Sequence, residues 1–180
     1  MKKIQGTKSD FAYFKEEGGR YVIGYGLTKL NKSLYEWFEV YIYKRQQSIV
    51  TMADVKDAIL NDIDAKTDAK ILNGYEFTPD GAEAPIVVWL SEESQTNFSE
   101  AHRLQIVPVK FKLNETEDKQ AIYHTFETFE ELNRFYIGGV QYINQCLNEG
   151  WAEKDAIDWS PYEALFPAAN AQEQSNASSE

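Results

Sequence analysis

The clearest pattern in the chain is the alternation of side chains from Tyr35 to Tyr43. A period of two predicts a β-strand, because successive side chains then point to opposite faces of a sheet. Both faces of this strand are largely apolar, so both need cover. Either the protein's own layers enclose the strand, or its aromatic face contacts another subunit or a partner. That aromatic face would carry Tyr35, Trp37, Glu39, Tyr41 and Tyr43.

The pattern changes to helical spacing after Thr51. Val55, Ile59 and Ile63 recur every four residues, and Thr51 is followed three residues later by Asp54, which is close to a capping box. We expect this helix to end between residues 65 and 68 and to link two lobes. Upstream of the aromatic strand, residues 20–25 form a second predicted strand between glycine-marked turns.

A mixed pattern follows the first helix. Residues 71–77 read as an extended segment, residues 78–81 as a turn, and residues 86–90 as the returning strand. Ser91 is placed to cap a helix whose first turn is acidic. Residues 107–113 then alternate, and residues 121–126 are the expected partner strand, with Ile122, His124 and Phe126 on one face.

The longest helical pattern starts at Thr128, where Glu131 completes a capping box. Gly138 and Gly139 lie inside it and lower helix stability by about 1 kcal/mol each, which predicts either a bend or the close packing of another element. Gly150 is the predicted C-cap.

A last short helix is expected after the long one, with Ser160 as N-cap, Pro161 at N1 and Glu163 at N3, and with Pro167 ending it. The elements together predict an α+β fold: a β-rich N-terminal lobe over residues 1–45, a connecting helix over 46–70, an α+β domain over 71–167, and a disordered tail over 168–180.

The net charge of the chain indicates which classes of partner it is able to bind. Of the 180 residues, 18 are Lys or Arg and 29 are Asp or Glu, so the net charge is 18 − 29 = −11. A field of that sign repels a phosphate backbone, so we expect no nucleic-acid partner. No stretch approaches the ~20 apolar residues of a membrane span and no secretory signal is present, so we expect a soluble protein made in a cytoplasm. The single cysteine, Cys146, fits a reducing compartment.

Catalytic and cofactor motifs are absent from the sequence. There is no glycine-rich phosphate loop, no HExxH, no CxxC and no GxSxG. A zinc site built from His102, His124 and Cys146 is conceivable, but separate structural or surface roles are the simpler reading. Adjacent carboxylates such as Glu92 and Glu93 are explained by helix dipoles and solvation. We therefore expect no enzyme activity, no metal and no cofactor.

Exposed aromatic side chains are the remaining candidates for function. Trp and Tyr anchor protein interfaces and also stack on sugars, so both kinds of partner stay open. The predicted interface residues are Tyr35, Trp37, Tyr41, Tyr43, Trp89, Trp151 and Trp159.

Several segments resemble a family of small proteins encoded near tail and tail-fibre genes in phages and prophages of gut anaerobes. The resemblance covers roughly residues 50–166, and its segments include residues 54–59, 74–77, 88–91, 107–112, 123–127, 142–151 and 158–162. The C-terminal half also resembles a phage domain of unknown function found on tail-fibre and tail-fibre-assembly proteins.

This resemblance implies a non-enzymatic protein that contacts a phage tail or tail-fibre protein, either as a virion component or as an assembly chaperone. It implies a place in the host cytoplasm during assembly or in the virion tail, and it leaves homo-oligomerisation open. The alternative is a carbohydrate- or peptide-recognition module that uses exposed aromatic side chains.

Overall fold

The computed structural model describes residues 2–46 and 49–166, and it combines helices with antiparallel sheets, which confirms the predicted α+β class. The chain divides into two compact units. The first unit joins the residues up to Asp64 with those from Ala152 onward, and the second unit is Ala65–Trp151.

These divisions differ from the predicted domain boundaries at residues 45 and 70, because the C-terminal segment groups with the N-terminal strands. The predicted disordered tail, 168–180, and the predicted helix stop at Pro167 lie outside the described residues.

The first unit is built on a four-stranded antiparallel sheet in the order β1-β4-β3-β2. Ile23, Tyr25 and Val40 of this sheet pack against Val55 and Ile59 in the core. The strands are β1 Lys2–Gly6, β2 Lys15–Glu17, β3 Arg20–Lys29 and β4 Tyr35–Tyr43, and the helical parts are a single 3-10 turn Lys8–Asp10, the first part of α1 Met52–Asn73, and α4 Ser160–Glu163.

The bounds predicted for β4 are confirmed, but β3 is longer than predicted. Gly26 does not end the strand. It adopts φ +65°, and the register of β3 against β4 shifts between Tyr25 and Thr28, so the glycine forms a bulge inside one continuous strand. The predicted turn at Gly18-Gly19 is confirmed, since both residues have positive φ.

Helix α1 begins as predicted and ends later than predicted. The backbone N–H of Thr51 donates to Asp54 Oδ2 at 2.7 Å and the N–H of Asp54 donates to Thr51 Oγ1 at 3.3 Å, which is a complete capping box. The helix then runs to Asn73, so the prediction of extended chain from residue 71 was wrong. Residues 65–72 contain no helix breaker, and the first residue able to end the helix is Gly74, at φ +85°.

The second unit packs two hairpins against helices. A core cluster joins the two hairpins, Phe98 of α2 and Leu132 and Phe135 of α3. The elements are β5 Tyr75–Phe77, β6 Ile86–Val88, α2 Glu92–Arg103, β7 Val109–Glu115, β8 Ala121–Phe126, α3 (Phe129–Asp155) as far as Trp151, and the last part of α1.

The two hairpins of this unit meet through β6 and β7. The register of β7 against β8 shifts between Lys112 and Asn114, so Leu113 is a bulge residue. The carbonyl oxygen of Leu113 accepts a hydrogen bond of 2.9 Å from the backbone N–H of Trp89. The Asn114 side chain also donates to the carbonyl oxygen of Val87 at 2.9 Å. The bulge therefore connects the two sheets.

Helix α3 differs from the prediction at both ends. Thr128 Oγ1 accepts from the N–H of Glu131 at 3.3 Å, but the Glu131 carboxylate does not return to the cap. Its Oε1 accepts instead from the backbone N–H of Asp80 at 2.8 Å. Gly150 is not a C-cap, because α3 continues to Asp155. A side chain at Gly150 would overlap Thr67 of α1, so the glycine is needed for the close approach of two helices.

The short helix α4 begins at Ser160, one residue earlier than predicted. Trp159, not Ser160, is the N-cap, and Pro161 lies within the first turn. The carboxylate of Asp158 accepts a hydrogen bond from the N–H of Ser160 at 3.0 Å. An acceptor that precedes the predicted cap therefore shifted the start of the helix.

Candidate functional site

The aromatic residues of β4 do not form one open surface. Trp37 is 2% exposed, because Phe11 packs edge-on against its ring with 5.9 Å between centroids. Tyr43 is 48% exposed. Trp37 therefore belongs to the interior of the first unit and offers no accessible contact surface, contrary to its prediction as an interface residue.

Glu39 organises this face of β4. It accepts hydrogen bonds from Trp37 Nε1 at 3.4 Å and from the Tyr41 hydroxyl at 3.2 Å. The guanidinium of Arg20 lies 4.2 Å from the centre of the Tyr41 ring. Burial, and then the bond to Glu39, raise the pKa of Tyr41. Both Tyr41 and Tyr35 are half-buried, so the face is largely covered by its own neighbours.

The other predicted interface residues lie apart from this strand along the chain. Trp159 is half-buried in the first unit, where the Lys56 ammonium lies 5.6 Å from the centre of its ring. Trp89 and Trp151 belong to the second unit and are 41% and 55% exposed. Within the second unit, Trp89 follows β6 and Trp151 lies on α3.

An exposed face of the second unit combines apolar and basic side chains. Val87 and Trp89 alternate with the buried Val88 and Leu90, and Tyr123 is 56% exposed. Strand alternation places these side chains on the solvent side of the two hairpins. Hydrogen bonds join the segment of Val87 and Trp89 to β7, which pairs with β8, and Lys110 Nζ of β7 lies 4.6 Å from the centre of the Tyr123 ring of β8. We call Val87, Trp89, Lys110, Lys112 and Tyr123 the outer strand face.

A groove of about 320 Å³ lies beside Trp89. Its polar lining includes Glu93 and Asn97 of α2. Ser91 and Ser94 also line it, but their hydroxyls are bonded to each other at 2.9 Å and Ser91 caps α2. The groove therefore presents one exposed indole with an amide and a carboxylate close by.

A cavity of about 230 Å³ lies between α2, α3 and the hairpin of β5 and β6. No charged side chain lines it among the residues that the structure describes. Aromatic rings supply much of its wall, and Gln95 and Ser99 supply polar groups. The four aromatic residues that line it are Tyr75, Phe98, Phe135 and Tyr136.

Tyr75 is the fixed wall of this cavity. Its hydroxyl donates to the carbonyl oxygen of Phe135 at 2.5 Å, and burial raises its pKa. The ring lies against Gly138 and Gly139, where an added Cβ would come within 3.2 and 3.4 Å of it. Of the two explanations predicted for this glycine pair, close packing of another element is confirmed. The glycines thus signalled that something packs there, but no sequence pattern identified Tyr75 or the cavity.

The histidines and the cysteine are not brought together. His102 bonds Asn133 Oδ1 at 2.8 Å, while His124 bonds Glu131 Oε1 at 2.9 Å. Cys146 is buried on α3, 15 residues beyond Glu131 (146 − 131), which is about 22 Å along the helix. The three cannot share one metal ion. Within residues 2–46 and 49–166, no group of three or more His, Cys, Asp and Glu side chains is placed to hold a metal.

His124 and Glu131 form the only His–carboxylate pair among the salt bridges between described residues. Glu131 is 4% exposed. A histidine held by a buried carboxylate can act as a general base, but the rings of Phe126 and Phe77 pack against this imidazole, with centroids at 4.6 and 6.4 Å. The arrangement fits a structural tie between β8, α3 and the turn at Asp80.

No helix in the described part of the chain is both long enough and apolar enough to cross a membrane. Comparison with protein-family models, with curated proteins and with solved structures gave no match to this chain.

Proposed function

We propose that the protein works without chemistry of its own, by contact with a phage tail or tail-fibre protein, as a virion component or as an assembly chaperone. Support for the phage context comes from the resemblance of residues 50–166 to phage tail-region proteins. Support for the contact role comes from the outer strand face, where three large apolar side chains are 40–56% exposed.

That exposed face is the single observation on which the contact role depends. Exposed apolar residues scattered singly are ordinary, whereas a connected group of them marks an interaction surface. Hydrogen bonds join the segment of Val87 and Trp89 to β7, and β7 pairs with β8, which carries Tyr123. Trp and Tyr also dominate the energetics of protein interfaces. A chain with net charge −11 stays dispersed while it holds an aggregation-prone partner, and this favours the chaperone version.

Co-purification from cells in which the phage is induced tests the proposal. Wild-type protein should retain a tail or tail-fibre protein, and Trp89→Ser with Tyr123→Ser should lose most of it. Leu104→Ser with Ile137→Ser is the matched control, because both residues belong to the second unit, both are exposed, and neither belongs to the outer strand face.

Mass spectrometry of purified virions separates the two versions of the role. A virion component is present in the particle at a fixed ratio to other tail proteins, whereas a chaperone is absent or strongly depleted. A protein that neither appears in virions nor co-purifies with any tail protein would defeat the whole proposal.

The groove beside Trp89 supports a second candidate, a carbohydrate-binding module. A sugar presents an apolar C–H face that stacks on an indole and hydroxyl groups that bond to amides and carboxylates, and Trp89, Asn97 and Glu93 supply these groups. A glycan array with wild type, Trp89→Ala and Trp151→Ala tests it. Binding lost only in Trp89→Ala would favour this groove, and a wholly negative array would remove the candidate.

A further inference from the structure

We propose that the cavity in the second unit binds a free, neutral, small aromatic molecule that carries one hydrogen-bond donor, of the size and chemistry of indole or a phenol. This inference goes beyond the proposed function and does not depend on it. It rests on the volume, the lining and the rigidity of the cavity.

Volume sets the size of the ligand. The cavity measures about 230 Å³. An apolar protein cavity of about 150 Å³ stays dry and takes up benzene, so this larger one has room for a fused pair of rings or a substituted single ring. It lies below the ~300–1,000 Å³ range of pockets for drug-sized ligands, so a large cofactor does not fit.

The lining sets the chemical class. The rings of Phe98 and Phe135 meet edge-to-face with centroids 4.8 Å apart, so a third ring placed against them gains aromatic contacts beyond simple burial. No charged side chain lines the cavity among the described residues, so a carboxylate or ammonium brought into it would lose part of its hydration without gaining a partner of opposite charge. The ligand is therefore neutral.

Gln95 determines which polar group the ligand carries. Its side-chain nitrogen donates to the carbonyl oxygen of Leu90 at 2.7 Å, which leaves the amide oxygen to accept a hydrogen bond. A ring N–H or a phenolic O–H supplies the matching donor. Ser99, half-buried on the same helix, offers a second polar contact.

The walls are held in place without a ligand. Tyr75 is anchored by its hydrogen bond to Phe135 O, and Tyr136 stacks on the His102 ring with centroids 4.1 Å apart. His102 is itself bonded to Asn133. A preformed site of this kind costs little ordering of side chains when the ligand binds, so even a small molecule can bind measurably.

Calorimetric titration of the full chain with four probes tests the inference. Indole should bind with a Kd of about 0.1–1 mM. Indene, which has the same shape without the N–H donor, should bind about three- to tenfold more weakly. Indole-3-carboxylate, which adds a negative charge, should bind at least about tenfold more weakly. N-acetyltryptophanamide, whose ring carries peptide groups, should bind more weakly than indole.

Variants locate the binding. Ser99→Phe fills the cavity from α2 and Val140→Phe fills it from α3, so each should weaken indole binding by about tenfold or more, and either one suffices if the other fails to fold. Thr96→Phe, exposed on the same helix and outside the lining, should leave the Kd within about twofold. Gln95→Leu should remove the preference for indole over indene.

Three results would overturn the inference. The first is no saturable binding of any probe, and the second is equal binding of indole and indole-3-carboxylate. The third is N-acetyltryptophanamide binding as tightly as indole, which would assign the cavity to an aromatic side chain of a partner protein.

Discussion

The hydroxyl of Tyr75 donates a 2.5 Å hydrogen bond to the carbonyl oxygen of Phe135, an atom inside helix α3. The tyrosine ring lies closest to Gly138, where an added Cβ would come within 3.2 Å of it. One side chain thus fixes β5 against α3, forms a wall of the cavity and accounts for Gly138, a residue that is unfavourable in a helix.

Substitution of alanine for Gly139 and for Gly150, both on α3, should change the stability of the protein in opposite directions. At Gly139 an added Cβ would lie 3.4 Å from the Tyr75 ring, an ordinary contact, so Gly139→Ala should stabilise the protein by up to about 1 kcal/mol through helix propensity. At Gly150 the same atom would overlap Thr67, so Gly150→Ala should destabilise it by about 1–3 kcal/mol. Urea unfolding measures both effects.

A double variant gives the control for the Gly150 contact. Thr67→Ala removes the Oγ1 atom that the new methyl group would meet. The combination Gly150→Ala with Thr67→Ala should therefore cost less than the sum of the two single changes. Additive free energies would show that this contact is not the cause.

Removal of the buried carboxylate of Glu131 should destabilise the protein strongly. Its Oε1, on a buried side chain, accepts hydrogen bonds from the N–H of Asp80 and from His124, and Glu131→Ala removes both of these charge-assisted bonds together. We expect Glu131→Ala to lower the free energy of unfolding by about 2–3 kcal/mol. Glu130→Ala, next to it and exposed, should change it by less than about 0.5 kcal/mol. Equal effects of the two variants would contradict the structural role of the carboxylate.

Three tyrosines should make the protein sensitive to alkali. Burial raises the pKa of Tyr25, Tyr75 and Tyr162 above the ordinary value of 10.0; the bond to Asp62 adds to the effect at Tyr25, and the neighbours Tyr13 and Asp158 add to it at Tyr162. The unfolded chain loses these protons near pH 10 while the folded chain keeps them. The unfolded state then binds fewer protons, so the free energy of unfolding falls as pH rises above 10 and is unaffected by these groups below it.

The absorbance of ionised tyrosine, measured as a function of pH, tests this prediction. Of the 11 tyrosines, these three should ionise only together with unfolding. Tyr162→Phe should reduce the number of protected groups to two and make the fall in stability above pH 10 less steep. Ionisation of all 11 in one step near pH 10, with the fold intact, would be the contrary result.

Local patterns predicted most elements of the fold, and contacts between elements explain the errors. The bounds of β4 and β8 and the capping box at Thr51 follow from alternation and from one Thr–Asp pair, which act within a few residues. Gly150 looked like a helix end because glycine commonly follows a helix, but its role is set by Thr67, 83 residues away (150 − 67). A pattern read along the chain cannot contain such a contact.

For the candidate sites too, the sequence predicted local features and missed those that depend on contacts between elements. Residues 86–90 are apolar at every position, so the sequence predicted a strand and offered Trp89 as an interface residue but could not tell that Val87 and Trp89 would be exposed while Val88 and Leu90 are buried. The cavity could not be predicted, because its walls come from three separate segments and its volume depends on where rings such as Phe98 and Tyr136 come to rest. Burial of Trp37 depends likewise on Phe11, which lies in a segment without a strong pattern.

Gly24 should be among the least tolerant positions in the first unit. It lies inside β3, where its N–H donates to the carbonyl oxygen of Ala12 at 3.2 Å and its carbonyl oxygen accepts from the Tyr162 hydroxyl at 2.7 Å. An added Cβ would lie 2.5 Å from Ala12 O, a backbone atom that cannot move aside without displacing its segment. We expect Gly24→Ala to destabilise the protein by about 3 kcal/mol. Tyr162→Phe, which removes only the hydroxyl, should cost about 1 kcal/mol. Chemical denaturation of both variants measures the difference, and a Gly24→Ala protein as stable as wild type would show that residues 11–14 do not cross β3 as closely as described.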